Sequence, residues 1–105
     1  LEHEVFAVIH LDAQHRVIEY VEMFRGTVTQ TSVYPREVVK EAMAHNTAAI
    51  VLVHNHPSGD PTPSQSDLAM TDQIQTAAAA LGIVLHDHLI VGKGREISFR
   101  AAGYL

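Results

Sequence analysis

Residues 48–67 read AAIVLVHNHPSGDPTPSQSD. This stretch decides the fold because it contains a predicted strand, a loop and the start of a predicted helix. The first six residues are all apolar, and such a short run is typical of a buried strand. The loop holds three of the four prolines in the chain, which indicates a loop with a defined shape. A helix is predicted to begin at Ser64, so the stretch forms a strand–loop–helix unit around a central strand.

The same loop carries side chains that bind metals. His54 and His56 stand at the end of the strand, where residues i and i+2 share a face. Asp67 falls in the first turn of the helix, from which the loop can bring it back to the two imidazoles. Two His and one carboxylate are the ligand count of a catalytic zinc site. Residues 64–67 (SQSD) also fit a capping box, which explains Ser64 and Asp67 without a metal. The spacing of these residues alone favours the capping box over the metal site, but it leaves both interpretations open.

The sequence on either side predicts a mixed sheet with helices. Short apolar or alternating runs predict strands, and amphipathic runs between Pro, Asn and Gly signals predict helices. We predict strands at residues 5–11, 17–24, 48–53, 83–91 and 96–100, an edge-like extension at 28–33, and helices at 34–46 and 64–81. The order β-β-α-β-α-β-β is that of an α/β (α+β) fold with a mixed sheet.

Length and composition limit the possible classes of protein. A chain of 105 residues forms a single domain, and because it begins with Leu1 we expect residues 1–105 to be the C-terminal part of a longer chain. No apolar run approaches the ~20 residues of a membrane helix, so no membrane contact is expected. The absence of Cys limits any metal site to His, Asp and Glu and fits a cytoplasmic protein. The net charge of −5 argues against nucleic-acid binding by this part of the chain alone.

The spacing H-x-H-P-x6-S-x-x-D over residues 54–67 resembles the JAMM motif of the MPN+/JAB metalloproteases. The longer string HNHPSGDPTPSQSD, with YPREVV before it and DHLIVG after it, is similar to the RadC-like branch of that superfamily. The resemblance runs from about Glu4 to the C-terminus. It implies a JAB1/MPN fold, a curved mixed β-sheet flanked by helices, and one Zn²⁺ held by His54, His56 and Asp67.

The resemblance also implies catalytic roles. A glutamate near the first strand acts as the general base, and we favour Glu4 over Glu2, with Glu19 and Glu22 on the second strand as fallbacks. The alternative for Glu4 is a solvated acid at a frayed terminus. Ser64 matches the serine of the motif, which stabilises the oxyanion of the tetrahedral intermediate. The implied reaction is zinc-dependent hydrolysis of an amide, peptide or isopeptide bond in an unidentified peptide or protein substrate.

Three further residues are candidates for supporting the site or contacting the substrate. Asn55 lies between the two His ligands and is expected to hydrogen-bond across the loop. Alternation in the strand that contains HDH puts His86 and His88 on one face, from which His88 could support the zinc or line the cleft. A satisfied polar pair near a sheet edge is the alternative. Arg36, at a helix start, could pair with an acid near the site or bind a substrate carboxylate, although a solvated arginine is favoured.

Two other functions fit the same residues. A zinc-bearing binding or scaffold module of this fold would hold the metal without hydrolysing anything. A DNA-processing accessory domain of a RadC-type protein would need affinity for DNA, and the negative charge counts against it. The full ligand set argues against a metal-free scaffold, because such a domain would not need His, His and Asp together.

Overall fold

The computed structural model describes residues 3–26 and 33–105, which form a five-stranded sheet and three helices. The elements in chain order are β1 (Glu4–Leu11), β2 (Val17–Gly26), α1 (Pro35–Ala44), β3 (Ala49–Asn55), α2 (Gln65–Ala79), β4 (Val84–Val91), β5 (Glu96–Ser98) and α3 (Phe99–Ala102). The predicted order is therefore confirmed from β1 to β5. Residues 28–32 of the predicted edge extension lie outside the described residues. Within the described ranges, no helix is long and apolar enough to cross a membrane.

The sheet has the order β2-β1-β3-β4-β5, with the apolar strand β3 at its centre as predicted. β1 pairs antiparallel with both β2 and β3, whereas β4 runs parallel to β3 and β5 antiparallel to β4. The start of β1 therefore meets the ends of β3 and β4 at one edge, where His54 is paired with Phe6 on one side and Ile90 on the other. α2 connects the two parallel strands and begins at this same edge.

The hydrophobic core lies between one face of the sheet and the helices α1 and α2. Its members are Phe6, Val8, Val38, Ala42, Ile50, Leu52, Ile74, Ala78, Ile83 and Leu85. Two large apolar residues within the predicted helices, Met43 and Leu81, lie outside this core and are 63% and 50% exposed. Met43 lies in the last turn of α1, and α2 ends at Ala79, so neither helix carries its residue against the sheet.

The last strand is shorter than predicted, because the chain turns into α3 where the sequence pattern predicts a strand to Arg100. Ser98 caps this helix, since its Oγ accepts the N–H of Ala101 at 3.1 Å. Asp87 of β4 accepts the N–H of Arg100 at 3.0 Å and the hydroxyl of Ser98 at 2.5 Å. These contacts with a neighbouring strand outweigh the local preference of the sequence for a strand.

Candidate metal centre

The three predicted ligands come together where β3 ends and α2 begins. His54 is the last core-facing residue of β3, His56 follows in the loop, and Asp67 lies in the first turn of α2. His54 and Asp67 are buried, and His56 is partly exposed. One ligand atom from each of the three lies within 4.8 Å of the others, so the cluster could hold a metal ion.

Hydrogen bonds on the far side of each imidazole determine which nitrogen faces Asp67. His54 Nε2 lies 2.5 Å from Glu4 Oε1, and His56 Nδ1 lies 2.9 Å from the carbonyl oxygen of Asp60. Both partners are acceptors, so these two nitrogens carry the hydrogens. In a neutral imidazole the other nitrogen then has a lone pair. Those nitrogens are His54 Nδ1 and His56 Nε2, at 3.6 Å and 3.0 Å from the carboxylate oxygens of Asp67.

This arrangement calls for a positive charge between the three side chains. A nitrogen lone pair that faces a carboxylate oxygen is repelled unless a proton or a cation lies between them. His54 Nδ1 is buried and makes no hydrogen bond within the described residues. Protonating both imidazoles would put two positive charges on rings whose centroids are 4.9 Å apart. One cation would instead satisfy both nitrogens and the carboxylate, so the residues present fit a bound metal ion.

The predicted capping box is present at the same place as the metal cluster. Ser64 Oγ accepts the N–H of Asp67 at 3.0 Å, and Asp67 Oδ2 accepts the N–H of Ser64 at 2.8 Å. An ionised carboxylate has about four lone-pair sites, so Asp67 can accept the cap bond and still face the imidazoles. The two interpretations of residues 64–67 are therefore compatible, and the cap holds the carboxylate in position for the metal.

A turn that sequence reasoning did not single out holds the loop between β3 and α2. Lys93, in the turn after β4, donates its N–H to the carbonyl oxygen of Gly59 at 2.8 Å. A Cβ at Gly92 would lie 2.3 Å from that oxygen and 2.8 Å from Cδ of Pro61. Only glycine therefore fits at this close approach of two backbones. The glycine of DHLIVG was visible in the sequence, but the sequence does not show that it packs against the Gly59 carbonyl.

Glu4 and Asn55 join the start of β1 to the cluster. Asn55 Oδ1 accepts the N–H of Val5 at 2.5 Å, and its Nδ2 donates to the carbonyl oxygen of His3 at 2.8 Å. Asn55 therefore bonds to β1 and not across its own loop as expected. Glu4 is only 7% exposed and contacts His54, so it is not a solvated acid at a frayed terminus.

The other predicted candidates lie elsewhere. Glu19 and Glu22 are exposed on β2, which β1 separates from β3. A hydrogen bond from a neighbouring arginine lowers the pKa of Glu22. Arg36 is exposed, with its guanidinium carbon 5.6 Å from the ring centroid of Tyr34, and its role toward a substrate stays a prediction. Glu2 lies outside the described residues. Among the candidate bases that the structure describes, Glu4 is the one beside the metal cluster.

His88 lies beneath the cluster, whereas His86 does not. The pairing of β3 with β4 shifts by one residue, so that β4 has an extra residue at position 86. Such a bulge reverses the alternation of side chains. His86 is therefore exposed and His88 is 0% exposed, and the prediction that the two share a face is wrong. Burial lowers the pKa of His88 to about 3, so its imidazole is neutral at neutral pH.

The sequence of the chain is similar to that of a known family and of several known proteins. The RadC-like JAB domain family matches residues 1–104. A UPF0758 protein of Rhodobacter capsulatus is 63% identical over 102 residues, which cover 97% of this chain and 48% of that protein. A UPF0758 protein of Ruegeria pomeroyi is 59% identical over 104 residues, which cover 99% of this chain and 46% of that protein. The chain thus spans about half the length of these relatives. It belongs to the family of RadC-like JAB domains.

Proposed function

We propose that this domain is a zinc-dependent hydrolase of the JAMM type, which cleaves an amide, peptide or isopeptide bond in a peptide or protein substrate. The observation that carries the proposal is the cluster of His54, His56 and Asp67, in which His54 Nδ1 and His56 Nε2 lie 3.6 Å and 3.0 Å from the carboxylate oxygens. Two nitrogens, one carboxylate oxygen and no sulfur form a donor set that zinc accepts, with a fourth position left open for chemistry. Membership of the RadC-like JAB family supports the same proposal.

The residues around the cluster have the chemistry that hydrolysis needs. When bound, a zinc ion would supply a Lewis acid and lower the pKa of a water molecule toward ~7. Glu4, a buried carboxylate beside His54, accepts a proton from the attacking water and returns it to the leaving amine. Ser64 Oγ accepts the N–H of Asp67, which leaves the serine hydrogen to donate to the oxyanion. One water is thereby added across one C–N bond.

Metal content tests the site itself. We expect about one zinc per chain in the purified wild-type domain and a loss of zinc in Asp67→Ala, measured by elemental mass spectrometry. Ser64→Ala is the matched control, because it removes the hydroxyl half of the capping box and leaves the Asp67 carboxylate. That variant should keep its zinc and lose about 1 kcal/mol of stability. Equal zinc in wild type and Asp67→Ala would leave Asp67 as a helix cap and contradict the proposal.

Cleavage of a random peptide library, followed by mass spectrometry, tests the base. Glu4→Gln keeps an oxygen that can accept from His54 Nε2, so we expect zinc to stay bound. Removing the proton acceptor should slow cleavage by about 10²-fold or more. Glu22→Gln makes the same change at an exposed glutamate of β2 and should leave zinc and cleavage unchanged. Wild-type cleavage by Glu4→Gln would show that another group is the base.

One observation favours a second candidate, a zinc-bearing binding module without turnover. Glu4 Oε1 contacts the nitrogen of His54 that faces away from Asp67. Carboxylates in this position orient metal-bound imidazoles, and their loss lowers metal affinity by about 10–100-fold. If orientation is the whole role of Glu4, wild type cleaves no peptide, and Glu4→Ala, which removes the acceptor for His54 Nε2, weakens zinc binding. Peptide cleavage by the wild-type domain therefore separates the candidates.

A further inference from the structure

We infer that Thr71 and His88 act as a positioning pair for the metal centre, by holding the main chain of Asp67 and bracing the ring of His54. This inference rests on the proposed metal site and extends it to two residues outside the cluster of candidate ligands. Both side chains are almost completely buried, at 2% and 0% exposure.

The first link is a directed chain of hydrogen bonds. Thr71 Oγ1 donates to the carbonyl oxygen of Asp67, one helical turn earlier, at 2.7 Å. A hydroxyl has a single hydrogen, so the 2.7 Å contact between Thr71 Oγ1 and His88 Nδ1 must be donated by the imidazole. The chain therefore runs from His88 Nδ1–H to Thr71 Oγ1–H to Asp67 C=O.

This chain does more than a usual helix contact of threonine. Threonine in a helix often bonds to the carbonyl four residues earlier, and that bond alone ties the helix only to itself. Here the hydroxyl is also fixed by a residue of β4, so the first turn of α2 is anchored to the sheet. The carboxylate of Asp67 projects from that turn. Its distance from the imidazoles at the end of β3 therefore depends on the Thr71–His88 contact.

The second link is a stack of rings. The ring of His88 lies between Phe99, at a centroid distance of 4.3 Å, and His54, at 5.9 Å, with an interplanar angle of 27° in both cases. Phe6 contacts both imidazoles from the side, at 5.9 Å from His88 and 5.5 Å from His54. His88 therefore supports one metal ligand through its ring and another through its Nδ1–H.

The fold contains a matched pair without a metal ligand. Thr47 Oγ1 lies 2.9 Å from His10 Nδ1, and these residues are 8% and 0% exposed. His10 is six residues along β1 from Glu4, roughly 20 Å at ~3.3 Å per residue. Thr47→Val therefore removes the same kind of buried contact far from the site. A loss of stability that both substitutions cause would reflect the loss of a buried contact. A change in metal binding that only Thr71→Val causes would reflect the position of Thr71 beside the metal site.

The test compares Thr71→Val, Thr71→Ser and Thr47→Val in the domain. Zinc affinity is measured by competition with a chelator, and ligand geometry by the visible spectrum of the Co²⁺-substituted protein. We expect Thr71→Val to weaken zinc binding by about 10-fold or more, in the range seen for residues that hold metal ligands, and to shift the Co²⁺ bands. Thr71→Ser, which keeps the hydroxyl, should restore both. Thr47→Val should lower stability in urea and leave zinc affinity and the Co²⁺ spectrum unchanged.

The outcomes separate this inference from the proposed function. A wild-type domain that binds neither zinc nor Co²⁺ would remove the metal site and the inference with it. Wild-type affinity and spectrum in Thr71→Val would overturn the inference and leave the metal site intact, as would equal weakening by Thr71→Val and Thr47→Val. If Thr71→Val does not fold, His88→Phe serves instead, because it keeps the ring stack and removes the Nδ1–H. Unchanged Co²⁺ bands in His88→Phe would then overturn the inference.

Discussion

In the candidate metal centre, each of the three residues is held by contacts to single atoms of its side chain. Glu4 occupies one nitrogen of His54, and the Asp60 carbonyl occupies one nitrogen of His56, so the remaining nitrogens face Asp67. The carboxylate in turn accepts the main-chain N–H of Ser64, a bond that does not depend on the serine hydroxyl. Removing any one of these contacts frees a ligand to rotate away. At the scale of single residues, the site is therefore a set of contacts that each hold one atom of a candidate ligand.

Gly92→Ala should disturb the loop between β3 and α2 through a single added methyl group. Gly92 has no backbone strain that demands glycine, but its Cβ would lie 2.3 Å from the Gly59 carbonyl oxygen. We expect weaker zinc binding and a stability loss of about 1–3 kcal/mol, typical of overpacking. The matched control is Gly94→Asn, in the same turn, where φ is +69° and nothing lies within 4 Å of an added Cβ. Zinc affinity is measured by chelator competition, and stability by urea unfolding. Equal losses in Gly92→Ala and Gly94→Asn would show that the close approach at Gly92 does not matter.

His10 should make the fold less stable in acid. Burial lowers the pKa of His10, and His45 lowers it further, against smaller opposing effects of Glu41 and Glu19. Below about pH 6.5 the unfolded chain therefore binds a proton that the folded chain does not, and stability falls as pH falls by up to ~1.4 kcal/mol per unit. Urea unfolding from pH 7.5 to 5, in the presence of a chelator, should give a shallower pH dependence for His10→Leu. Parallel curves for the two proteins would show that His10 does not contribute.

The elements place these residues through pairings that join distant parts of the chain. β1 and β3 are antiparallel, so Glu4 at the start of one meets His54 at the end of the other, across 50 residues of sequence. Apolar runs between turn signals were enough to predict β1 to β5 and both long helices. The bulge at His86 and the helix α3 could not be predicted, because contacts with a neighbouring strand create them. The candidate ligands came from a motif, but which imidazole nitrogen lies near Asp67 is seen only in the folded structure.

Asn55→Ala should release the start of β1. The side chain of Asn55 takes the place of main-chain hydrogen bonds of the sheet at this edge. Its Oδ1 accepts the N–H of Val5, and its Nδ2 donates to the carbonyl oxygen of His3. We expect faster amide hydrogen exchange at Val5, a stability loss of about 1–2 kcal/mol and slower peptide cleavage, because Glu4 loses its fixed place. The amide of Val8, inside the sheet, is the internal control and should keep its protection. Unchanged exchange at Val5 would show that the Asn55 side chain is not needed to hold the start of β1.

In the domain as a whole, the candidate metal centre lies at one edge of the sheet of a negatively charged chain. The ends of β1, β3 and α2 converge there, and the net charge of the chain is −5. A surface of this charge repels phosphate backbones, which basic side chains normally attract. The sequence was sufficient for this expectation, because net charge does not depend on the fold. The relatives are about twice as long as this chain, so a DNA-related role of the whole protein would call for residues beyond this domain.

The isolated domain should show no salt-dependent affinity for DNA. Fluorescence anisotropy with a labelled duplex, at about 50 mM and 200 mM salt, should give no binding at micromolar protein, because few cations are available to displace counterions. A basic domain of similar size is the positive control. Binding that weakens steeply between the two salt concentrations would contradict this expectation and favour the DNA-processing alternative.

The central claim is that His54, His56 and Asp67 hold zinc. Zinc K-edge absorption spectroscopy on the zinc-loaded domain tests it directly. We expect a shell with two imidazole nitrogens and carboxylate or water oxygens, all at about 2.0–2.2 Å from the metal. In Asp67→Ala the signal should fall with the zinc content. A zinc shell without imidazole, or a wild-type domain that takes up no zinc, would contradict the account.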